Sequence, residues 1–221
     1  MSGAAEKSLS RGERTRAALL DLAEIAVLEK GYAATSIEEL IAAAGITKSG
    51  FFYHFREKAD LAKALLRRDN AAVEAGLREI FAAAVAAHDD PLEALLFGLK
   101  LYAQIAAKSP ASRPGCLAAA FSYQDALFDD EARALIAEGL AFKHRTIRVA
   151  LERVAAARPP RAPVDLDALA DMALAVTQGG MILDRVRPPE ESVLDAQMAL
   201  YRAYVRQLFA DPESERPLRR P

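Results

Sequence analysis

Residues 35–61, TSIEELIAAAGITKSGFFYHFREKADL, decide the fold of this 221-residue chain. Thr35 and Ser36 each have a glutamate three positions later, and this capping-box pattern is typical of a helix start. Apolar residues then recur at spacings of three and four, at Ile37, Leu40 and Ile41. Gly45 follows, and glycine commonly ends a helix because it adopts positive φ angles at little cost. The segment therefore begins with a short amphipathic helix that ends in a turn.

A second short helix is predicted directly after this turn. Thr47 can cap it, and Phe51 and Phe55, four residues apart, share its inward face. The residues expected at a DNA surface are Ser49, Phe52 and Tyr53 on the opposite arc, His54 on the flank, Lys48 at the helix start and Gly50, which lets the backbone approach DNA closely. Two helices with this spacing are typical of a helix-turn-helix, whose second helix enters a major groove about 12 Å wide.

Other groups must hold the DNA phosphates, because contacts to phosphates position a protein on the duplex. Candidates are the residues at the helix starts, with their free backbone N–H groups, and nearby polar or basic side chains: Thr35, Thr47, Lys48, Tyr53, His54 and Lys58. Arg14, just inside the first helix, is a further candidate for phosphates or the neighbouring minor groove. Each has a simpler alternative: the threonines as caps only, Tyr53 as a half-buried aromatic residue, and Lys58 as a solvated charge.

From about Arg14 to Leu65 the chain resembles the TetR family of bacterial transcriptional regulators. The matching positions are Gly31-Tyr32, Ala34 to Ile37, Ala44 to Lys48, Phe51 to Phe55, Lys58 and Leu61. The resemblance implies a three-helix DNA-binding domain at the N-terminus. Phe52 departs from the pattern, because the family usually has a tyrosine there whose hydroxyl reaches a phosphate; we expect Tyr53 or His54 to take over that contact. Gly50 also replaces a frequent threonine.

Charge is divided unevenly along the chain. The net charge is −2 overall, but residues 1–68 carry eleven Lys or Arg against nine Asp or Glu, and the remainder carries eighteen against twenty-two. The N-terminal part is therefore weakly positive. DNA affinity must then come from a local cluster of side chains and from pairing two copies, not from a strongly basic domain.

The fold class predicted for the whole chain is all-α, with about nine helices and no strand pattern. We expect a flexible arm at residues 1–10, a helix-turn-helix domain at 11–57, a helical ligand-binding and dimerisation domain at 58–210, and a disordered tail at 211–221. Caps and prolines predict the later helices at about 58–87, 91–108, 115–124, 130–158, 165–186 and 190–210.

The last two helices carry apolar stripes that include small residues: Leu169, Ala173, Val176, Gly180 and Leu183 on one helix, and Leu194, Met198, Tyr201 and Val205 on the other. The family resemblance implies that this pair packs against its copy in a second chain as a four-helix bundle, which sets two recognition helices about one DNA turn apart. The resemblance therefore implies a homodimer that binds a palindromic operator. The alternative is that both helices only close the core of one chain.

The family resemblance also implies an effector pocket in the larger domain. Mostly apolar residues between residues 91 and 181 are its predicted wall: Phe97, Leu101, Tyr102, Cys116, Phe121, Tyr123, Phe142, His144, Gln178 and Met181. Little charge occurs among them, so an apolar or aromatic effector is expected. The alternative is that these side chains are ordinary core, which is the commoner role of aromatic residues at helical spacing.

Cys116 is the only cysteine and lies in the apolar run GCLAAAF. An intramolecular disulfide is therefore excluded, which favours a reducing, cytoplasmic compartment. Sensing by this cysteine would need an exposed thiolate of low pKa, so a buried structural thiol is the favoured interpretation. The charged N-terminus and the short, mixed apolar runs predict neither a signal peptide nor contact with a membrane.

An enzyme is the rival from another class. His54, His88 and His144 lie far apart, and the chain has no zinc-ligand spacing, glycine-rich phosphate loop or nucleophile elbow. We therefore predict no catalytic residue, metal or cofactor. A second alternative is a DNA-organising or partner-binding protein without a ligand, which the sequence does not separate from a repressor. The most specific hypothesis is a dimeric repressor in which an effector changes the spacing of the two recognition helices.

Overall fold

The computed structural model of the chain describes residues 10–108, 115–187 and 192–209. Within these ranges the backbone forms nine α-helices and a 3₁₀ turn, with no β-strand. The helices are α1 Arg11–Lys30, α2 Ile37–Ala44, α3 Lys48–His54, α4 Lys58–Ala87, α5 Pro91–Ala106, α6 Leu117–Ser122, α7 Asp130–Ala157, α8 Leu166–Asp184 and α9 Val193–Phe209, and the 3₁₀ turn is Asp125–Leu127. The predicted all-α fold class is confirmed.

Most helices begin where their capping residues predict. Ser10 caps α1 in a complete capping box with Glu13. Asp90, Asp129 and Asp165 cap α5, α7 and α8, and each side chain accepts a backbone N–H from the first turn of its helix. A carboxylate at this position also interacts favourably with the helix dipole, so each start is stabilised twice.

The shorter helices differ from the predicted ranges. The helix predicted at 115–124 covers only Leu117–Ser122, because the chain turns after Ser122 into the 3₁₀ turn. The last helix begins at Val193, where the Asp184 carboxylate accepts the Val193 and Leu194 N–H groups. Its predicted start at residue 190, residues 1–9 of the arm and the tail at 211–221 lie outside the described residues.

Two hydrophobic cores divide the molecule. The first joins α1–α3, which we call the head, to α6 and to the starts of α4 and α7; Phe51, Leu65 and Phe121 are fully buried in it. The second lies between the rest of α4 and helices α5, α7, α8 and α9. We call these helices together the larger domain. Cys116, at the start of α6, packs against both cores. Helix α6 thus lies at the junction of the head and the larger domain, while the domain boundary at residue 58 stays a prediction.

Helix α8 corrects one expectation from the sequence. Its 19 residues have a mean hydropathy of 1.3, so by length and composition alone this helix could cross a membrane, and the view that all apolar runs are too short is wrong. In the structure α8 packs against α5, α7 and α9, and buries Leu169, Ala170, Ala173 and Thr177. A core helix of this length and composition passes the same test as a membrane span.

Candidate DNA-binding surface and internal cavity

The helix-turn-helix is built as its caps require. Gly45 ends α2 in the left-handed region, at φ 63° and ψ 34°, and its N–H donates to the Ala42 carbonyl. Thr47 then caps α3: its Oγ1 accepts the Gly50 N–H at 3.1 Å. Since only a few residues separate the two helices, the direction of α3 is fixed by the turn at Gly45 and by the packing of α3 on the head core.

One arc of α3 is buried and the opposite arc is exposed. Phe51 and Phe55 are buried in the head core, whereas Tyr53 is 83% exposed and Phe52 is 40% exposed. The ring edge of Phe52 rests on Phe51, with ring centroids 5.4 Å apart. Thr47, Lys48 and Ser49 are also exposed, and His54 and Gly50 are half-buried. These residues form a convex surface of polar and aromatic side chains at the outer edge of the head.

Gly50 has a local reason to be glycine. A Cβ atom at this position would lie 3.3 Å from Thr47 Oγ1, which caps the helix. That separation is tight, so a side chain here would press on the cap. The predicted role of Gly50, letting the backbone approach DNA, stays a prediction beside this structural one.

The predicted DNA contact by the Thr35 side chain is wrong. Thr35 is only 2% exposed, and its hydroxyl donates to the Gly31 carbonyl at 3.0 Å. The cap of α2 is Ser36, whose hydroxyl accepts the Glu39 N–H. Of the two overlapping capping boxes in the sequence, the backbone therefore uses the second, and Thr35 instead fixes the turn between α1 and α2.

Lys58 also points inward, contrary to the predicted phosphate contact. Its Nζ donates to the Tyr32 carbonyl at 2.6 Å and to the Ala33 carbonyl at 3.3 Å, and it lies 4.2 Å from the centre of the Tyr32 ring. Burial lowers the pKa of Lys58, and the positive charge of Lys30 acts in the same direction. The ammonium thus holds the α1–α2 turn against the start of α4 and is not a free ligand for a phosphate.

Three arginines of the head are exposed on α1 or directly after α3. Arg14 is exposed on the first helix, as expected, and the Arg16 guanidinium lies 5.1 Å from the centre of the Phe55 ring. Arg56, which directly follows the C-cap of α3, is exposed and pairs with Asp60 at 3.0 Å. Arg56 was missed as a site residue, although its position immediately after the recognition helix was a visible signal.

A cavity of about 260 Å³ lies between the head and the larger domain. It is lined by residues of α1, α4, α5, α7 and α8 and by the start of α6. A second cavity of about 450 Å³ adjoins it, between the end of α1, α6 and α8, and shares residues with the first: Leu28, Gly115, Cys116, Gln178 and Met181. Two adjoining cavities therefore lie between the head and the larger domain.

Five of the ten residues predicted for the effector pocket line these two cavities, and their role in binding stays a prediction. Tyr102, Cys116, Gln178 and Met181 line the first cavity, and Tyr123 lines the second. The other five predicted residues lie elsewhere: Phe97 against His88, Leu101 on the second core, Phe121 in the head core, Phe142 beneath Arg78, and His144 near Asp167 and Asp171. The structure does not bring these five residues to either of the two cavities, although Phe142 lines a separate cavity with Arg78 and Phe81.

Lys143, on α7, is the pocket residue that sequence reasoning missed. It lines the first cavity, is only 6% exposed, and places Nζ 3.4 Å from Cys116 Sγ. Burial acts to lower the pKa of Lys143, but negative charge at Cys116, Tyr102 and Asp69 raises it, and the net direction is upward. The sequence carried a signal, since Lys143 occupies a position in the buried stripe of α7: Ile136, Gly139, Lys143, Ile147 and Leu151.

The predicted dimer stripe of α8 and α9 mostly closes the single chain. The buried members are Leu169, Ala173, Gly180, Leu194, Met198, Tyr201 and Val205. A Cβ atom at Gly180 would lie 2.6 Å from Leu194 Cα, so the two helices touch at the backbone. Val176 is half-buried and Leu183 is 43% exposed. The assignment of the buried residues to a dimer interface is wrong, because the core of one chain uses that face.

The opposite arcs of α8 and α9 present apolar side chains to solvent. The exposed residues are Met172, Ile182 and Leu183 on α8, Val186 in the turn after α8, and Leu200 and Tyr204 on α9. We call these six residues the outer face. Several large apolar side chains on neighbouring helices of one surface mark a site of association.

A head with a capped helix-turn-helix, joined to a larger helical domain, defines a DNA-binding transcriptional regulator. Comparison with known proteins gives the family. A family model described as bacterial regulatory proteins of the tetR family matches residues 19–65. The transcriptional regulator AcuR of Cereibacter sphaeroides is 31% identical over 173 residues, which cover 76% of this chain and 73% of AcuR. The chain belongs to the TetR family, whose members bind DNA and function as dimers.

Further relatives agree on the head and on the fold. The regulator TtgR of Pseudomonas putida is 33% identical over 60 residues, which are 27% of this chain and only 29% of TtgR. Among solved structures, a TetR regulator from Chloroflexus aurantiacus superposes with a TM-score of 0.74 at 25% identity, over 91% of this chain and 98% of that one. The relatives are transcriptional regulators.

Proposed function

We propose that the protein is a ligand-responsive, dimeric, cytoplasmic repressor that a small molecule releases from a palindromic operator. Its family and its helix-turn-helix support DNA binding. The observation that carries the ligand-responsive part is the position of α6, which begins at the cavity and ends on the head. The following contacts support this coupling and the dimer.

In this proposal α3 reads the major groove. Ser49, Phe52 and Tyr53, on its exposed arc, contact base edges, and Gly50 brings the helix backbone close to the DNA. Phosphates are held by polar and basic groups at the ends of the same helix and on α1: Arg14, Thr47, Lys48, Tyr53 and His54. Arg56 joins them because its side chain is exposed directly after α3. Lys48 lies 3.9 Å from Glu38, an exposed pair that binding to a phosphate replaces at little cost.

Helix α6 links the cavity to the head through direct contacts. Cys116, at its start, lines both cavities. Phe121, in its middle, lies 5.6 Å from the Tyr32 ring, between ring centroids. After its end, the Gln124 side chain accepts the Ala33 N–H at 3.0 Å, just before α2. A ligand that favours a different position of α6 therefore shifts the turn that orients the helix-turn-helix, so ligand and DNA oppose each other by linkage.

The dimer forms through the outer face in this proposal. Its apolar side chains on α8 and α9 are free in the single chain, unlike the stripe on the buried side of the same helices. Two copies of a pair of helices that meet face to face form a four-helix bundle.

A dimer test uses one charged substitution on this face. Leu200→Glu, at a position 63% exposed, is expected to give monomers in analytical ultracentrifugation, because the dimer would bury the new carboxylate. Val85→Glu, at a 52% exposed position on α4, is the matched control and is expected to stay dimeric. A dimeric Leu200→Glu variant would contradict the outer face as the interface.

DNA binding is tested by selecting bound sequences from random duplexes with the full chain. A palindrome with half-sites about one helical turn, or a multiple of it, apart is expected. Lys48→Ala should weaken all selected sequences alike and reduce the salt dependence, while Tyr53→Ala should also change sequence preference. Lys100→Ala, an exposed lysine on α5, is the matched control. Placing the selected site at a promoter in a reporter strain then separates repression from activation.

A further inference from the structure

Two buried hydrogen-bond donors in the first cavity lack an adequate acceptor. The first is the ammonium group of Lys143, a residue that is only 6% exposed. Over the described ranges of the chain, no carboxylate lies within 4 Å of its Nζ, and its one hydrogen-bond acceptor is Cys116 Sγ, at 3.4 Å. An ammonium group has three donors, and sulfur is a weak acceptor. Burying a cation in this way is costly unless an acceptor completes it.

The second donor is the Gln178 side-chain amide. Its Nε2 atom is buried and has no hydrogen-bond partner among the residues that the structure describes. Gln178 lies on α8 and lines the same cavity as Lys143, which lies on α7. Buried amide donors are normally paired, so an unpaired one at a cavity wall indicates a place where an acceptor binds.

The rest of the wall limits the size and the character of the occupant. Leu77, Ile80 and Met181 give the cavity a largely apolar surface, and its volume of about 260 Å³ is below the usual range of roughly 300–1,000 Å³ for ligand pockets.

Asp69 and Glu24 are the acidic groups to account for, since both line the same cavity; Glu24 pairs with Arg68 at 2.7 Å. Burial raises the pKa of Asp69 and Glu24 acts in the same direction, while the positive charges of Lys143 and Arg68 oppose this rise.

We infer that the first cavity binds a small carboxylate with an apolar body, whose acid group pairs with the Lys143 ammonium and accepts a hydrogen bond from the Gln178 amide. This inference rests on the proposed function, because it names the chemical class of the effector. It also revises the expectation of a wholly apolar or aromatic ligand. The apolar wall accounts for the body of the ligand, and the two donors account for its acid group.

Matched pairs of small molecules test the acid group directly. Hexanoate is compared with hexanamide, and benzoate with benzamide, by calorimetry on the full-length protein without DNA. Each pair has nearly the same shape, so the comparison isolates the negative charge. The acids are expected to bind about tenfold to a hundredfold more tightly than the amides, as a hydrogen-bonded charge pair in a buried site requires. The inference is wrong if neither acid binds at millimolar concentration, or if acid and amide bind equally.

Substitutions of Lys143 and Gln178 test whether these two residues cause the preference for acids. Lys143→Met should abolish the preference for acids, Lys143→Arg should keep it, and Gln178→Leu should weaken acid binding about twofold to tenfold. Lys100→Met, an exposed lysine on α5, is the matched control. If Lys143→Met does not fold, Lys143→Arg and Gln178→Leu still test whether the carboxylate binds at this site. Retention of acid preference in a folded Lys143→Met protein, or unchanged acid binding by Gln178→Leu, would overturn the assignment.

Fluorescence anisotropy with the selected operator separates this inference from the proposed function. Acid binding that lowers operator affinity supports both. Acid binding with no effect on operator affinity supports the carboxylate site and contradicts the release mechanism. An operator complex that responds to the amides and not to the acids supports the release mechanism and contradicts the carboxylate site.

Discussion

The head and the larger domain each turn one lysine inward, and the two lysines meet different surroundings. Lys58 donates to the carbonyls of Tyr32 and Ala33 and lies over the Tyr32 ring. Lys143 is more deeply buried and has the Cys116 sulfur as its one hydrogen-bond acceptor among the described residues. Carbonyl oxygens are good acceptors and sulfur is a poor one, so the first ammonium is satisfied by the protein and the second is not.

This difference indicates a structural role for Lys58 in the head and a binding role for Lys143 in the larger domain. A buried donor with protein acceptors stabilises the fold, and its removal leaves those acceptors unpaired. A buried donor with only a weak acceptor is incompletely paired in the empty protein, and a ligand that supplies a stronger acceptor completes the pairing. Lys58 therefore belongs to the architecture of the head, and Lys143 to a site in the larger domain.

The largest effect is expected for Phe121→Ala, which tests whether α6 belongs structurally to the head. Phe121 is fully buried and packs against Tyr32 and Phe128, so truncation leaves a cavity that costs about 3–5 kcal/mol. Urea unfolding measures this loss. Tyr123→Ala, two residues along and 73% exposed, is the control and should change stability little. Equal effects of the two substitutions would show that α6 is not anchored in the head core.

Lys58→Met and Lys143→Met test the comparison of the lysines. Lys58→Met leaves the Tyr32 and Ala33 carbonyls without a charged donor, which should cost about 1.5–3 kcal/mol in urea unfolding without DNA. Lys143→Met removes a buried cation whose one hydrogen-bond acceptor among the described residues is a sulfur, so the loss of stability should be smaller than for Lys58→Met. The contrast fails if Lys143→Met destabilises the empty protein as much as Lys58→Met does.

The sequence predicted the head better than the cavity because the signals for the head are local. A cap at Ser36, a left-handed glycine at Gly45 and a cap at Thr47 act within one turn of their own helix, and the structure uses all three. Thr35 was misassigned because two adjacent residues both carried the capping-box pattern, and the Thr35 hydroxyl donates to the Gly31 carbonyl, four residues earlier, instead of capping α2.

The cavity and the dimer face depend on which arc of a helix faces which neighbour, and periodicity does not settle this for helices that are apolar on several sides. Helix α8 has one apolar arc with Ala173 and Gly180 and another with Met172 and Leu183; the structure buries the first. The same limit applies to Lys143. From sequence alone, a lysine within an apolar stripe is equally consistent with a side chain that reaches solvent and with one that lines a binding site.

A smaller effect is expected for Tyr201→Phe, which probes a satisfied polar group in the core of the larger domain. The Tyr201 hydroxyl donates to the Leu169 carbonyl at 2.8 Å and is buried between α8 and α9. Removing it should cost about 0.5–1.5 kcal/mol in urea unfolding without changing the dimer. Tyr123→Phe, at a 73% exposed position outside the outer face, is the control. If the two substitutions have the same effect on stability, the hydrogen bond does not contribute.

The smallest effect is expected for Asp69→Asn, and it should depend on pH. Burial raises the pKa of Asp69 and Glu24 adds to this, while the positive charges of Lys143 and Arg68 oppose it. Because the folded pKa lies above the unfolded value of about 3.9, the folded protein binds the proton more tightly. Asp69 therefore costs no stability below the unfolded pKa, and the cost grows as pH rises through the folded pKa.

Asp69→Asn should consequently raise the melting temperature at pH 7 and change it little near the unfolded pKa of aspartate, about 3.9. Thermal unfolding across this pH range measures the difference, and Asp89→Asn, at an exposed position before α5, is the control. A variant that is less stable than the parent at pH 7 would mean that the Asp69 carboxylate is a needed partner of Lys143. In that case the cavity would hold a completed ion pair, and the contrast between Lys58 and Lys143 would disappear.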